Sequence, residues 1–257
     1  MTTSFLSTIA YDGTDYVGWQ VQPNGNSIQA ELQTALAKVV GHAVSIVGSG
    51  RTDAGVHAMA QAASFELPAW NHGPDSLRRA WNVHLPGDIV ITDVQARPSG
   101  FHAIRDCVEK RYRYQMQIAG PADPSTCRYR HFPRGTALQV APMQQAAQRL
   151  LGTHDFACFQ ATGAPRSSTV RTIVESRLHV STDPTGTRSW LDYEVAANGF
   201  LYNMVRNIVG TLIEIGRGKQ APDWIDALIA SGDRNQAGAT APPHGLFLWQ
   251  AIYPPVA

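Results

Sequence analysis

The chain has 257 residues, 44% hydrophobic and 16% charged, the proportions of an ordinary globular protein with enough sequence to bury a core as one large domain or two small ones. Its formal net charge is +1, which excludes a strongly polyionic chain and neither demands nor excludes a polyanionic partner. The three cysteines, Cys107, Cys127 and Cys158, contain no CxxC pair and do not make a disulfide framework.

The opening MTTSFLSTIAYDG lacks the basic start and long apolar run of a secretory signal. No stretch approaches the ~18 consecutive apolar residues of a membrane span. A cytoplasmic protein without membrane association is expected. The basic residues are 18 Arg and 3 Lys, a bias that suits phosphate and base recognition and that a GC-rich genome also produces.

In chain order, FLSTIAY (Phe5 to Tyr11) reads as a strand. SIQAELQTALAKVV (Ser27 to Val40) reads as a helix, with Ile28, Leu32, Leu36 and Val39 at helical spacing, Asn26 or Ser27 as cap and Gly41 as stop. AVSIV (Ala43 to Val47) and AASFEL (Ala62 to Leu67) read as strands. PDSLRRAWNVHL (Pro74 to Leu85) reads as a helix with proline at its start, and DIVITDV (Asp88 to Val94) as a strand. The order is β-α-β-β-α-β.

The second half repeats the theme. KRYRYQMQI (Lys110 to Ile118) alternates, with Tyr112, Tyr114, Met116 and Ile118 on one face and Arg111, Arg113, Gln115 and Gln117 on the other. PMQQAAQRLLG (Pro142 to Gly152) reads as a helix, TVRTIVESRLHV (Thr169 to Val180) and SWLDYEVAA (Ser189 to Ala197) as strands. NMVRNIVGTLIEIG (Asn203 to Gly216) and PDWIDALIA (Pro222 to Ala230) read as helices, and GLFLWQAIY (Gly245 to Tyr253) as a closing strand. The expected fold is α+β: two ferredoxin-like halves with antiparallel sheets, residues 1–106 and 107–257, forming a central cleft. The stretch from Pro121 to Gly135 is a long loop, of the length that is often functional or mobile.

GSGRTDAGVHA (Gly48 to Ala58) is the candidate functional loop. A glycine-rich turn after a strand suggests a dinucleotide site, with Glu66 downstream for a ribose. Against that, Asp53 within the turn would repel a pyrophosphate. Only six residues separate Gly55 from AASFEL, fewer than the roughly 10 a parallel crossover needs. Asp53 as a turn residue is the plain alternative. Arg51, two residues away, lies close enough to pair with it or to reach a phosphate, and a carboxylate held by arginine suits a nucleophile or general base.

GRTDAGVHA (Gly50 to Ala58) resembles the signature of the tRNA pseudouridine synthase A family. YDGTDYVGWQ (Tyr11 to Gln20), SIQAELQTAL (Ser27 to Leu36), NVHLPGDI (Asn82 to Ile89), FHA (Phe101 to Ala103), KRYRY (Lys110 to Tyr114) and NGFLYNMVRNIVG (Asn198 to Gly210) are similar to further blocks of that family in the same order. The resemblance implies isomerisation of uridine to pseudouridine at positions 38 to 40 of the tRNA anticodon stem-loop. It places Asp53 as the catalytic aspartate, acting at uracil C6, at ribose C1′ or by elimination. It places Tyr112 as the active-site tyrosine, Arg206 as the basic partner of the aspartate, and Arg51 in RNA contact or base extrusion. It implies a homodimer.

Lys110, Arg111 and Arg113 form a basic cluster beside Tyr112, and Arg78 and Arg79 another; both are candidate phosphate contacts. No metal, nucleotide or other cofactor is expected, because the nine histidines contain no HxxxH and no zinc-type Cys/His spacing. The alternative function is a non-catalytic RNA-binding protein that stacks bases on an exposed sheet. Asp53 separates the two, since a binder has no use for a carboxylate facing RNA.

Overall fold

The structure is a computed structural model and describes residues 3–68, 70–163 and 167–255. It is a mixed α+β protein with mostly antiparallel strand pairing and five α-helices among the described residues. The chain folds as two compact units. One takes the chain up to Lys110 together with the chain from Phe247 onward, and the other is Arg111–Leu246.

In the first unit, β1 (Thr3–Tyr11) pairs antiparallel with both β3 (His57–Leu67) and β4 (Ile89–Arg97). The two-residue β2 (Val47–Gly48) also pairs antiparallel with β3. The closing strand β9 (Leu246–Ile252) joins β3 in parallel, with His57 opposite Phe247 and Ala58 opposite Leu248. Helix α1 (Ile28–Val40) starts at Ser27, whose hydroxyl accepts the Ala30 N–H, and ends at Gly41 in the left-handed conformation, the two ends that the sequence signals. Its apolar face buries Ile28, Leu32 and Leu36. Helix α2 (Pro74–Asn82) buries Leu77 and Trp81. Trp81 meets the Phe65 ring edge-on at 5.3 Å, and Phe65 stacks on Phe5 at 5.5 Å. The Trp81 indole N–H donates to Leu32 O at 3.0 Å. Each such side chain contributes roughly 1.5–3 kcal/mol by leaving water.

In the second unit the strand order is β5, β8, β7, β6, formed by β5 (Glu109–Ala119), β6 (Gly152–Asp155), β7 (Val170–Thr182) and β8 (Ser189–Ala197). Helices α3 (Val140–Gln148), α4 (Met204–Gly216) and α5 (Trp224–Ser231) complete it. The alternation of β5 holds from Tyr112 through Tyr114 to Met116, all buried, and breaks at Gln117, which is buried while Ile118 is only half-buried; the Gln117 amide is drawn in by its bond to Pro121 O at 2.7 Å. Helix α4 is buried on most of its surface, Ile208 and Leu212 included.

Two local expectations are corrected. AVSIV is not a strand over Ala43–Ile46, and pairing begins only at Val47. The reason lies in α1. Gln33 Nε2 donates to Val44 O at 3.2 Å and Gln29 Nε2 to Ile46 O at 2.8 Å, so side chains take carbonyls that a ladder would use. Strand β3 starts at His57 rather than Ala62, so the tail of GRTDAGVHA is itself sheet. The parallel pairing of β9 departs from the purely antiparallel expectation.

Candidate active site

The turn that carries Asp53 runs from β2 to β3, and its glycines answer to packing. The ring of Trp19 lies on Gly48, where a Cβ would sit 2.4 Å from the indole. Gln61, fully buried on β3, accepts the Ser49 hydroxyl at 2.8 Å through Oε1 and donates to Gly50 O at 2.9 Å through Nε2. Lys110 Nζ donates to Ser49 O at 2.5 Å. Side chains therefore saturate the carbonyls at the start of the turn.

Both flanks of Asp53 are held by β1 and the segment after it. Thr52 Oγ1 and Tyr11 OH are 2.8 Å apart in a buried hydrogen bond. Burial pushes the Tyr11 hydroxyl above its usual range, which keeps it a neutral partner. Asp53 forms an isolated antiparallel bridge with Gly18, and the Trp19 N–H donates to Thr52 O at 3.0 Å. A Cβ on Gly18 would lie 2.6 Å from Thr52 O, so the chain approaches this closely only through glycine. The Val56 N–H closes the turn onto Asp53 O at 3.1 Å. Asp53 is half-buried. Arg51 is exposed.

In the second unit, Tyr112 is 9% exposed on β5 and meets the Phe200 ring edge-on at 5.0 Å. Arg206, in the first turn of α4, is half-buried and oriented by bonds from its own unit. Its Nε donates to Ala241 O at 2.8 Å and its Nη1 to Asn203 Oδ1 at 2.9 Å. Ala241 reaches it because α4 carries Gly210, where a Cβ would be 1.7 Å from Ala239 O. The loop from Asn198 to Asn203 thus serves both residues: Phe200 touches Tyr112, and Asn203 holds Arg206. Arg206 also opposes the rise that burial gives the Tyr114 hydroxyl. Tyr114 OH donates to Pro242 O at 2.8 Å, the role of a packed strand residue.

The basic clusters are more engaged than their sequence suggests. Arg111 pairs with Glu175 at 2.6 Å and Arg113 with Glu194 at 2.5 Å, while Arg177 bridges both carboxylates at 2.8 and 2.7 Å. Arg78 and Arg79 both pair with Asp75. Sequence reasoning missed Tyr11, Gly18, Trp19, Gln61, Phe200 and Asn203 as supports. Five of them lie in YDGTDYVGWQ and NGFLYN, blocks read for their resemblance and not for what they touch.

A half-buried aspartate in a turn clamped on both sides suits proton transfer or nucleophilic attack. Comparison with known proteins makes that specific. The chain matches the tRNA pseudouridine synthase family over residues 8–105 and 146–254, and it belongs to that family of isomerases. It is similar to the tRNA pseudouridine synthase A of Syntrophotalea carbinolica, 44% identical over 247 residues, with 96% of this chain and 95% of the relative covered. It is 42% identical over 257 residues to that of Chlamydia trachomatis serovar L2b, covering 99% and 94%. To that of Thermoanaerobacter sp. it is 40% identical over 255 residues, covering 96% and 98%.

Proposed function

We propose that this protein converts uridine to pseudouridine at positions 38, 39 and 40 in the anticodon stem-loop of tRNA, with Asp53 as the nucleophile. The observation that carries the reading is the double clamp on the Asp53 turn, by Tyr11 on Thr52 and by Gly18 on Asp53 itself. A structural turn residue needs no such rigidity, whereas a carboxylate that must meet a reacting carbon within a few tenths of an ångström does.

The reaction breaks the bond between ribose C1′ and uracil N1 and forms one between C1′ and C5. The C5 proton is lost and N1 ends protonated, so neither oxidant nor cofactor is consumed. Asp53 adds to uracil C6 or ribose C1′, or follows an elimination at the ribose. Tyr112 stacks on the extruded uracil and assists removal of the C5 proton. Arg206 pairs with the aspartate and fixes its direction. Arg51 holds the RNA backbone or fills the gap left by the flipped base. Lys110, Arg111, Arg113, Arg78 and Arg79 supply weaker contacts to phosphates.

The element order β1, α1, β2, β3, α2, β4, and the order β5, α3, β7, β8, α4, β9 that remains once β6 and α5 are set aside as insertions, support reading the chain as two ferredoxin-like halves, 1–106 and 107–257. The protein acts in the cytoplasm as a homodimer. No helix among the described residues is long and apolar enough to cross a membrane.

The test is incubation with unmodified tRNA, followed by site-specific mapping of pseudouridine, with Asp53→Asn alongside. Conversion at 38 to 40 by the wild type and none by the variant is expected. Conversion surviving in the variant moves the chemistry to another residue. Binding without conversion by either protein returns the chain to a non-catalytic RNA binder.

A further inference from the structure

His57 lies four residues after Asp53, is fully buried, and has no part in the mechanism above. Its ring stacks on Phe247 at 4.7 Å and 25°. Its Nδ1 faces two groups of the segment after β1, Asp12 Oδ1 at 3.0 Å and the Gly13 backbone nitrogen at 3.1 Å. One ring nitrogen cannot donate to the first and accept from the second at once. The bond to a carboxylate is charge-assisted and the stronger of the two. We therefore assign the proton to Nδ1, donated to Asp12 Oδ1. The same oxygen accepts the Thr14 N–H at 3.0 Å and the Thr14 hydroxyl at 2.6 Å, which holds the carboxylate in the orientation that meets His57.

This bond acts on the turn before it. Gly13 lies directly against Val56: a Cβ on Gly13 would be 2.0 Å from Val56 O. Val56 in turn donates its N–H to Asp53 O. Asp12, Gly13, His57, Val56 and Asp53 thus form one short mechanical path inside the first unit.

We propose that Asp12 and His57 are positioning residues, a clasp that sets where the Asp53 carboxylate stands; the proposal rests on the reading of Asp53 as the reacting group. His57 is too deeply buried to touch substrate, and Asp12 acts through it. The clasp completes a three-point mount for the turn: Tyr11 on Thr52 before the aspartate, Gly18 on the aspartate, and Asp12 with His57 after it.

The test uses the full chain and measures kcat and KM on tRNA, together with the melting temperature, for Asp53→Asn, Asp12→Ala, His57→Leu, His57→Gln and His57→Asn. The amide nitrogen of asparagine falls where Nδ1 stands, and that of glutamine falls nearer Nε2. Asp12→Ala, His57→Leu and His57→Gln are expected to lower kcat by about 10–100-fold, the scale of a misplaced reacting group, with KM within about twofold. His57→Asn is expected to keep kcat within about threefold, as its donor survives, while melting lower for want of the stack on Phe247. A purely structural histidine predicts the reverse, kcat following melting temperature across all three His57 variants, and that result overturns the clasp. Should His57→Leu not fold, Asp12→Ala decides, because it removes the same bond from its partly exposed side. Loss of activity in Asp53→Asn with full kcat in Asp12→Ala overturns the clasp alone. Activity surviving in Asp53→Asn overturns the reading of Asp53 and the clasp with it.

Discussion

Asn203 gives its side-chain oxygen to the Arg206 guanidinium and not to the backbone N–H groups of α4. It stands at the N-cap of α4 with φ 57°, makes no side-chain capping bond, and accepts Arg206 Nη1 at 2.9 Å. An asparagine cap is worth about 1 kcal/mol when it bonds the first turn, so the helix forgoes that stabilisation and the arginine is oriented instead. Asn203→Gly keeps the left-handed backbone and removes the side chain whose oxygen holds Arg206. Stability should change by less than about 0.5 kcal/mol, and pseudouridine formation should fall roughly 10-fold, the worth of one hydrogen bond to a charged group. Unchanged turnover would show that the orientation of Arg206 does not matter.

Arg51 and Arg113 should differ in what salt does to binding. Arg51 is exposed, whereas Arg113 is paired with Glu194. A cation that displaces counterions from a phosphate adds about 0.7–0.9 to the slope of log affinity against log salt. Arg51→Ala should reduce that slope by about this amount in a tRNA-binding titration. Arg113→Ala should leave it nearly unchanged, since the lost charge is already offset by a carboxylate. Equal slopes for the two variants would contradict the contrast.

Gly48 should not tolerate a methyl group. Alanine there would drive its Cβ to 2.4 Å from the Trp19 ring, and overpacking of this kind costs about 1–3 kcal/mol. Thermal unfolding of Gly48→Ala should show a lower melting point, and Gly48→Ala with Trp19→Leu a smaller loss than the two singles combined. Strict additivity would mean that the two residues do not press on each other.

His131 ties stability to pH. Its N–H donates to Gln115 O and its carbonyl accepts from Gln117, which pins the end of the long loop to β5. Burial, with the nearby His244 and Arg217, lowers its pKa from 6.5 to about 4. The folded value lies below the unfolded one, so the unfolded chain takes up the proton first. The stabilisation is complete above pH 6.5 and drains away as pH falls towards 4. The melting temperature of the wild type should therefore drop between pH 7 and pH 5 more than that of His131→Gln. Parallel curves would place the titration elsewhere.

Much of this architecture was legible in the chain. Helix α1 announced both its ends through Ser27 and Gly41, and β5 announced its faces through alternation, because both signals sit within a few residues of what they determine. Asp53, Tyr112 and Arg206 are singled out by resemblance; from spacing alone Tyr112 looks like Tyr114, its neighbour in the same pattern, and both are buried. The supports escaped notice because a hydrogen bond between residues far apart leaves no periodicity. Tyr11 and Thr52 are 41 positions apart, and Ser49 and Lys110 are 61.

The sequence by itself determined most of the helices and strands, the candidate aspartate and which family the chain resembles, since these depend on local pattern and residue identity. The tertiary structure decided the rest. It denied AVSIV its ladder by sending Gln29 and Gln33 to its carbonyls. It brought β9 to β3 in parallel across some 190 residues. It also laid Trp19 on Gly48 so that a loop with the look of a phosphate cradle became a mount for a carboxylate. Those choices rest on close packing between distant segments, where fit within a few tenths of an ångström selects one partner, and no local pattern encodes that fit.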